Sequence, residues 1–420
     1  MTEITASPLR GPAEASERAL APDLARGLML LMIVLANTPW YLYGQTVGVS
    51  TVHPADGSAL DRFVQLLIMT FIDFRVYPMF AFLFGYGMVQ MFSRQVESGV
   101  PVKQARRLLR RRNWWLLVFG FVHAGLLWNG DVLGAYGLAG LVMVGIFFKR
   151  RTRTLIIWAG VLTGLLTLSM LGAIVGSVFA ARGPANEEVV SFLANTTDIA
   201  GMENYLGSIV ARLSFWPFLV IIQGLGTLVI PTMLLFAFWA ARQRILEEPG
   251  AHLPLLRRVA VVGLTIGWAG GLVHALEHLD LLAVPDQVFW VFFATQSVTG
   301  LFGGLGYVAL FALIAHRIAV RRATGSRGVM AVTAVGKRSL SCYLAQSLIC
   351  APALAAWGLG LGGVLGSAGV ALFAVGVWLL TLVLAYAQEL TGQRGPAEVL
   401  LRRLVYQRPS RSPAVEAGRP

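Results

Sequence analysis

The feature that most limits what this chain can become is a series of apolar runs, most of them roughly 18 residues or longer, recurring from end to end. Such a run is long enough to cross about 30 Å of hydrocarbon. The runs are continuous rather than alternating, so they read as helices and not as strands of a barrel. Inside lipid every backbone N–H and C=O must be satisfied within the segment, and a helix does this. Composition agrees, since 56% of the 420 residues are hydrophobic and 13% charged, against about 25% charged in soluble domains. The fold class expected is an all-α polytopic membrane bundle.

Ten spans are expected, at about Leu24–Tyr43, Phe63–Phe92, Trp114–Trp128, Val132–Phe148, Leu155–Phe179, Leu213–Ala241, Val259–His278, Val288–Ala315, Leu340–Leu359 and Gly369–Gln388. The second is long and is expected to break near Asp73–Pro78. Residues 1–20 are polar and lack the apolar core of a cleavable signal peptide. They and residues 409–420 read as disordered tails around one bundle domain over 21–408.

Charge sets the orientation. With both termini in the cytoplasm, 30 of the 34 Lys+Arg fall on inner segments and only Arg62, Arg75, Arg182 and Arg212 on outer ones. This is the positive-inside pattern. The net charge of +13 is therefore a topology signal and not a mark of nucleic-acid binding. Acidic residues divide evenly, and the longest outer segment, about Ala181–Arg212, holds Glu187, Glu188, Asp198 and Glu203 with a glycosylation-type Asn195-Thr-Thr. An Arg-rich, Lys-poor composition fits a GC-rich bacterial genome, and so a bacterial plasma membrane. Cys342 and Cys350 share one apolar run and form neither a disulfide framework nor a metal motif.

Polar groups inside the spans carry the chemistry. In GFVHAGLLWNGDVLGAYG (120–137), Trp128 marks an interface and Asn129-Gly130-Asp131 a turn. Asp131 can cap the following helix. His123 lies about 7 Å below the outer end by helix rise, at a depth similar to Tyr136 on the returning helix. A buried ionisable group in a span is a functional-site candidate by default, and the alternative is an interhelical hydrogen bond. Asp23 and Arg26 share a face at the cytoplasmic start of the first span. Arg75, between Asp73 and Pro78, could bind an anion at the outer mouth or pair with Asp73 or Asp131. His274, Glu277 and His278 follow the order of an inverted zinc-protease motif. With no third ligand they read as solvated residues at a helix end, and no metal is expected. Gly and Pro in QGLGTLVIPT (223–232) and TQSVTGLFGGLGY (295–307) fit either broken transporter helices or close packing.

DLARGLMLLMIVLAN (23–37), FAFLFGYG (80–87), the 120–137 block, GKRSLSCYLAQSLI (336–349) and GPAEVLLRRLVY (395–406) together resemble the YeiB-like bacterial membrane proteins, the family called domain of unknown function 418. The resemblance covers about residues 23–407, with a C-terminal family block at about 230–407. It implies a bundle of about ten helices. At a distance it implies acyl transfer, through the transmembrane acyltransferase superfamily that includes the acyltransferase-3 and heparan-glucosaminide N-acetyltransferase types. Acyltransferase-3 proteins carry a histidine late in the first span, where this chain has Asn37, so His123 would serve instead.

The leading expectation is a membrane-bound acyltransferase acting on an outer-face envelope acceptor. His123 is its base, Asp131 orients that base, and Arg75 or Tyr136 stabilises developing negative charge. Asp23 and Arg26 would shape the inner mouth that admits an acyl donor such as acyl-CoA. Two other readings stay open: a transporter of a small solute or lipid, and a non-catalytic partner of another envelope protein.

Overall fold

The apolar runs become helices in the computed structural model, which describes residues 19–48, 50–182, 198–285 and 288–406. Most of both expected tails, and Glu187, Glu188 and Asn195, lie outside the described residues. In chain order the helices are α1 Leu20–Asn37, α2 Ala59–Phe71, α3 Val76–Glu97, α4 Val102–Leu126, α5 Leu133–Phe147, α6 Thr152–Ala180 and α7 Tyr205–Ile221. They continue as α8 Val229–Arg242, α9 Leu253–His278, α10 Trp290–Val320, α11 Arg327–Lys337, α12 Ser339–Leu354, α13 Ser367–Leu390 and α14 Pro396–Tyr406.

Seven helical segments among the described residues are long and apolar enough to cross a membrane, from Leu20–Tyr41 to Ser367–Leu390. The shorter apolar helices α5 and α12 occupy the places of further expected spans, and α8 forms the second half of the sixth. Buried residues Met29, Leu30, Met79, Leu83, Leu234 and Phe238 on α1, α3 and α8 form the centre of the core. Large apolar side chains stay exposed on α6, α7 and α13, among them Leu168, Phe179, Val210, Leu372 and Val383. So broad an apolar surface is stable against lipid and costly against water.

Two expected spans are interrupted. The second divides into α2 and α3 around Ile72–Arg75, where Phe74 takes the left-handed φ of 61°. The break leaves carbonyls at the end of α2 without helical partners. Arg75 supplies donors there. Its Nη1 donates to the carbonyls of Met69 at 3.3 Å and of Asp73, and its Nε donates to the carbonyl of Gly267 on α9 at 3.2 Å. The sixth span divides into α7 and α8 through a π-helical turn, Ile222–Gly226, after Pro217 and before a left-handed Leu228.

Close helix approach rests on glycine. A methyl on Gly27 of α1 would strike the backbone of Val332 on α11, and one on Gly336 would strike the backbone of Asp23. The D-x-x-R-G motif is thus partly a packing device joining α1 to α11.

Candidate functional site

The hairpin from α4 to α5 builds a histidine–carboxylate pair. His123 lies in the last turn of α4, and Asp131 precedes the first turn of α5. Their side chains meet at 2.9 Å, Nδ1 to Oδ1, and both are buried. The Asp131 carboxylate also accepts backbone N–H groups from Leu133 at 3.1 Å and Gly134 at 2.8 Å, and the Trp216 indole N–H at 3.4 Å. It therefore caps α5, as its sequence position led one to expect, and orients the imidazole as well. Gly120 makes this possible. A Cβ there would overlap the Asp131 carboxylate and the Gly134 backbone.

The direction of the pair follows from its acceptor. A carboxylate that already accepts two backbone N–H groups and the Trp216 indole N–H takes a fourth donor from the ring, which puts the proton on Nδ1. The other ring nitrogen, Nε2, is then an unprotonated acceptor. It is buried and has no hydrogen-bond partner among the described residues. The His123 ring packs against Tyr343 of α12, with centroids 5.2 Å apart.

The structure places the other sequence candidates as follows. Tyr136 sits near the pair but donates its hydroxyl to the carbonyl of Tyr77 at 2.8 Å, with its ring on Phe80 and Phe84. The aromatic against His123 is Tyr343, which was not among the site residues expected from the sequence. Among the described residues Arg75 makes no ion pair with the carboxylate of Asp73 or Asp131; its guanidinium donates to backbone carbonyls instead. It is fully buried at the α2–α3 break, because the unpaired carbonyls there draw it in. Asp23 and Arg26 do pair, at 3.4 Å, and Arg26 also donates to the carbonyl of Leu83 at 3.2 Å.

Asp23, Arg26, Tyr136 and Tyr343 line one cavity of about 790 Å³. That volume lies within the range of about 300–1,000 Å³ found for small-molecule sites. Leu133, Tyr136 and Tyr343 form part of its wall beside the His–Asp pair, and Arg94, Arg112, Lys337 and Arg402 line it among the Arg-rich segments. Glu398 closes one wall, accepting from the N–H groups of Leu340 and Ser341 at 2.8 and 3.2 Å and so capping α12. Arg112 lies over the Phe84 ring at 4.9 Å. Burial, with Arg26 nearby, pulls its pKa down to about 10, so it stays a cation at neutral pH.

A second hollow of about 10 Å³ has Tyr343 in common with the cavity. Asn37, Thr38, Trp128 and Gln346 also line it. Thr38 Oγ1, Trp128 Nε1 and both polar atoms of the Gln346 amide are buried without partners among the described residues. A polar hollow of this size has room for about one water or one hydroxyl.

The histidines of HALEHLD are not solvated, contrary to the sequence reading. His274 and His278 are buried because the chain between α1 and α2 folds back over the end of α9. Ser50 on that loop meets His274 Nε2 at 2.9 Å and donates to Glu277 at 2.8 Å, while His53 pairs with Asp73 at 2.8 Å. No group of three or more His, Cys, Asp or Glu side chains among the described residues is arranged to hold a metal ion. Cys342 and Cys350 are both free and buried.

Fold and surface together define an all-helical membrane protein with a buried His–Asp pair beside a large cavity. The sequence model of the family described as "Protein of unknown function (DUF418)" matches residues 240–408 of the chain. It is 27% identical to the uncharacterized protein YxaH of Bacillus subtilis (strain 168), over 94% of this chain and 96% of the relative. It is 25% identical to the uncharacterized protein YeiB of Escherichia coli (strain K12), over 92% of this chain and 96% of that protein. A third relative, an uncharacterized 39.9 kDa protein in the amylase 3'region of Bacillus acidopullulyticus, is 33% identical over 33% of this chain and 36% of its own. No solved structure matches.

Proposed function

We propose that the protein is a membrane-bound acyltransferase of the bacterial plasma membrane, with His123 and Asp131 as its reactive pair. The observation that carries this reading is the His123 imidazole itself. Asp131 holds one nitrogen at 2.9 Å, the other is buried without a partner among the described residues, and the ring packs against Tyr343 of the cavity wall. His53 also leaves one buried ring nitrogen without a partner among the described residues, so what marks His123 for chemistry is its packing against Tyr343 in the cavity wall.

In this reading His123 Nε2 takes the proton of an acceptor O–H as its oxygen attacks an acyl carbonyl. Asp131 stabilises the imidazolium formed and keeps the ring in place. Nε2–H then returns the proton to the leaving group as the tetrahedral species collapses, so the histidine ends as it began. An acyl-CoA-type donor bound in the cavity would supply the activated carbonyl, with Asp23 and Arg26 at the Arg-rich mouth. The small hollow at Thr38, Trp128 and Gln346 is the place for the acceptor hydroxyl, reached from the outer face.

Proteoliposomes with the Arg-rich face exposed to labelled acyl-CoA test this. Wild-type protein is expected to consume donor, and His123→Ala, inserted at equal level, to lose the activity by about 10²-fold or more. Equal consumption by the variant contradicts the proposal. Solute flux without donor consumption would replace it with transport.

A further inference from the structure

The cavity wall contains two cations, Arg112 and Arg402, that make no ion pair among the described residues. Arg112 on α4 pairs with no acidic side chain among the described residues, and its buried Nη1 has no hydrogen-bond partner. Its one close contact of note is the face of Phe84 at 4.9 Å. Arg402 on α14 likewise lies over an aromatic ring, that of Tyr406, at 6.0 Å, and makes no ion pair among the described residues. Both line the 790 Å³ cavity together with Arg26 and Tyr406. Other basic side chains of that wall are engaged: Lys337 pairs with Glu389 at 2.6 Å, Arg242 donates to the carbonyls of Phe148 and Arg150, and Arg244 pairs with Glu248 at 2.9 Å.

A guanidinium placed half-buried with another cation nearby and no counter-charge is costly, and its planar fork matches phosphate oxygens. We propose that Arg112 and Arg402, assisted by Arg26 and the Tyr406 hydroxyl, form a binding site for the phosphate groups of a ligand that enters the cavity at its Arg-rich end. The aromatic supports under both arginines hold them in the cavity wall without neutralising them. The rest of the cavity runs from this cradle to Tyr136 and Tyr343, beside His123. A ligand with phosphates at one end and a reactive group at the other would span it. Its identity as an acyl carrier rests on the function proposed above, whereas the phosphate site does not.

The test is binding to the full-length protein in nanodiscs, by calorimetry and thermal shift. The probes are inorganic diphosphate, coenzyme A, and nanodiscs containing phosphatidic acid. At least one is expected to bind and to weaken with salt. Arg112→Gln and Arg402→Gln should each weaken it about tenfold, the loss of one charge-assisted contact. Arg112→Lys should restore part of the loss, and Arg107→Gln, exposed on the same helix, should change nothing. His123→Ala should bind as wild type does, which separates this site from the catalytic proposal. Coenzyme A binding without phosphatidic acid binding identifies a nucleotide thioester carrier, and the reverse identifies a lipid phosphate. Failure of all three probes to bind, or equal binding by both Gln variants, overturns the site.

Discussion

Two histidine–aspartate pairs of nearly equal length occur in this chain, His123–Asp131 at 2.9 Å and His53–Asp73 at 2.8 Å. Both rings are buried, and each has a second nitrogen without a partner among the described residues. Their surroundings differ. His123 lies against Tyr343, which faces both the large cavity and the small polar hollow. His53 lies among Ser50, Gln65, His274 and His278, and none of these, nor Asp73, lines either space. A loop covers it, and the neighbouring polar groups bond to one another. Under the proposed function the first pair is reached by a substrate past Tyr343, whereas the second ties the loop between α1 and α2 to the α2–α3 break.

Variants can break that contrast. The largest effect is expected at the first pair, where His123→Ala or Asp131→Asn should lower acyl transfer by about 10²–10⁴-fold. His53→Ala should leave the rate per folded molecule unchanged. Equal losses in donor-consumption assays at both pairs would erase the distinction. Next is Gly120→Val, which drives a side chain into the space of the Asp131 carboxylate. A destabilisation of about 1–3 kcal/mol, as for overpacked cores, is expected together with loss of activity, read by thermal melting in detergent.

His53→Ala and Ser50→Ala should each destabilise by about 1–3 kcal/mol, because each leaves a buried carboxylate or imidazole underbonded. Protease cleavage between α1 and α2 should rise in step, and an unchanged digestion pattern would remove the fastening role. The smallest effect is expected from Glu398→Gln, which keeps an acceptor at the start of α12 but removes its charge. About 0.3–1 kcal/mol is expected, and a larger loss would mean that Glu398 does more than cap.

Much of the fold was legible in the sequence, because lipid imposes a length and a hydropathy that helices must obey. The break near Asp73 was also legible, from Pro78 and the charges around it. The meeting of His123 with Asp131 followed from a short turn between two helices, which leaves little freedom. What sequence could not show was long-range. Arg75 read as an outer-face cation because charge alone cannot reveal that a broken helix will offer it carbonyls at Met69 and Asp73. His274 and His278 read as solvated because nothing local announces that Ser50 and His53, more than 200 residues earlier in the chain, will fold over them. Tyr343 joined the site through tertiary packing of α12, and Arg112 was hidden in a basic run that topology alone explained.

The proposed chemistry requires Asp131 to fix the proton of His123 on Nδ1 and to leave Nε2 unprotonated. Nitrogen-15 NMR of ring-labelled protein, with the His123 signals assigned by their absence in His123→Gln, measures this directly. The account predicts a protonated Nδ1 and an unprotonated Nε2 in the neutral ring. A neutral His123 with its proton on Nε2 would contradict it.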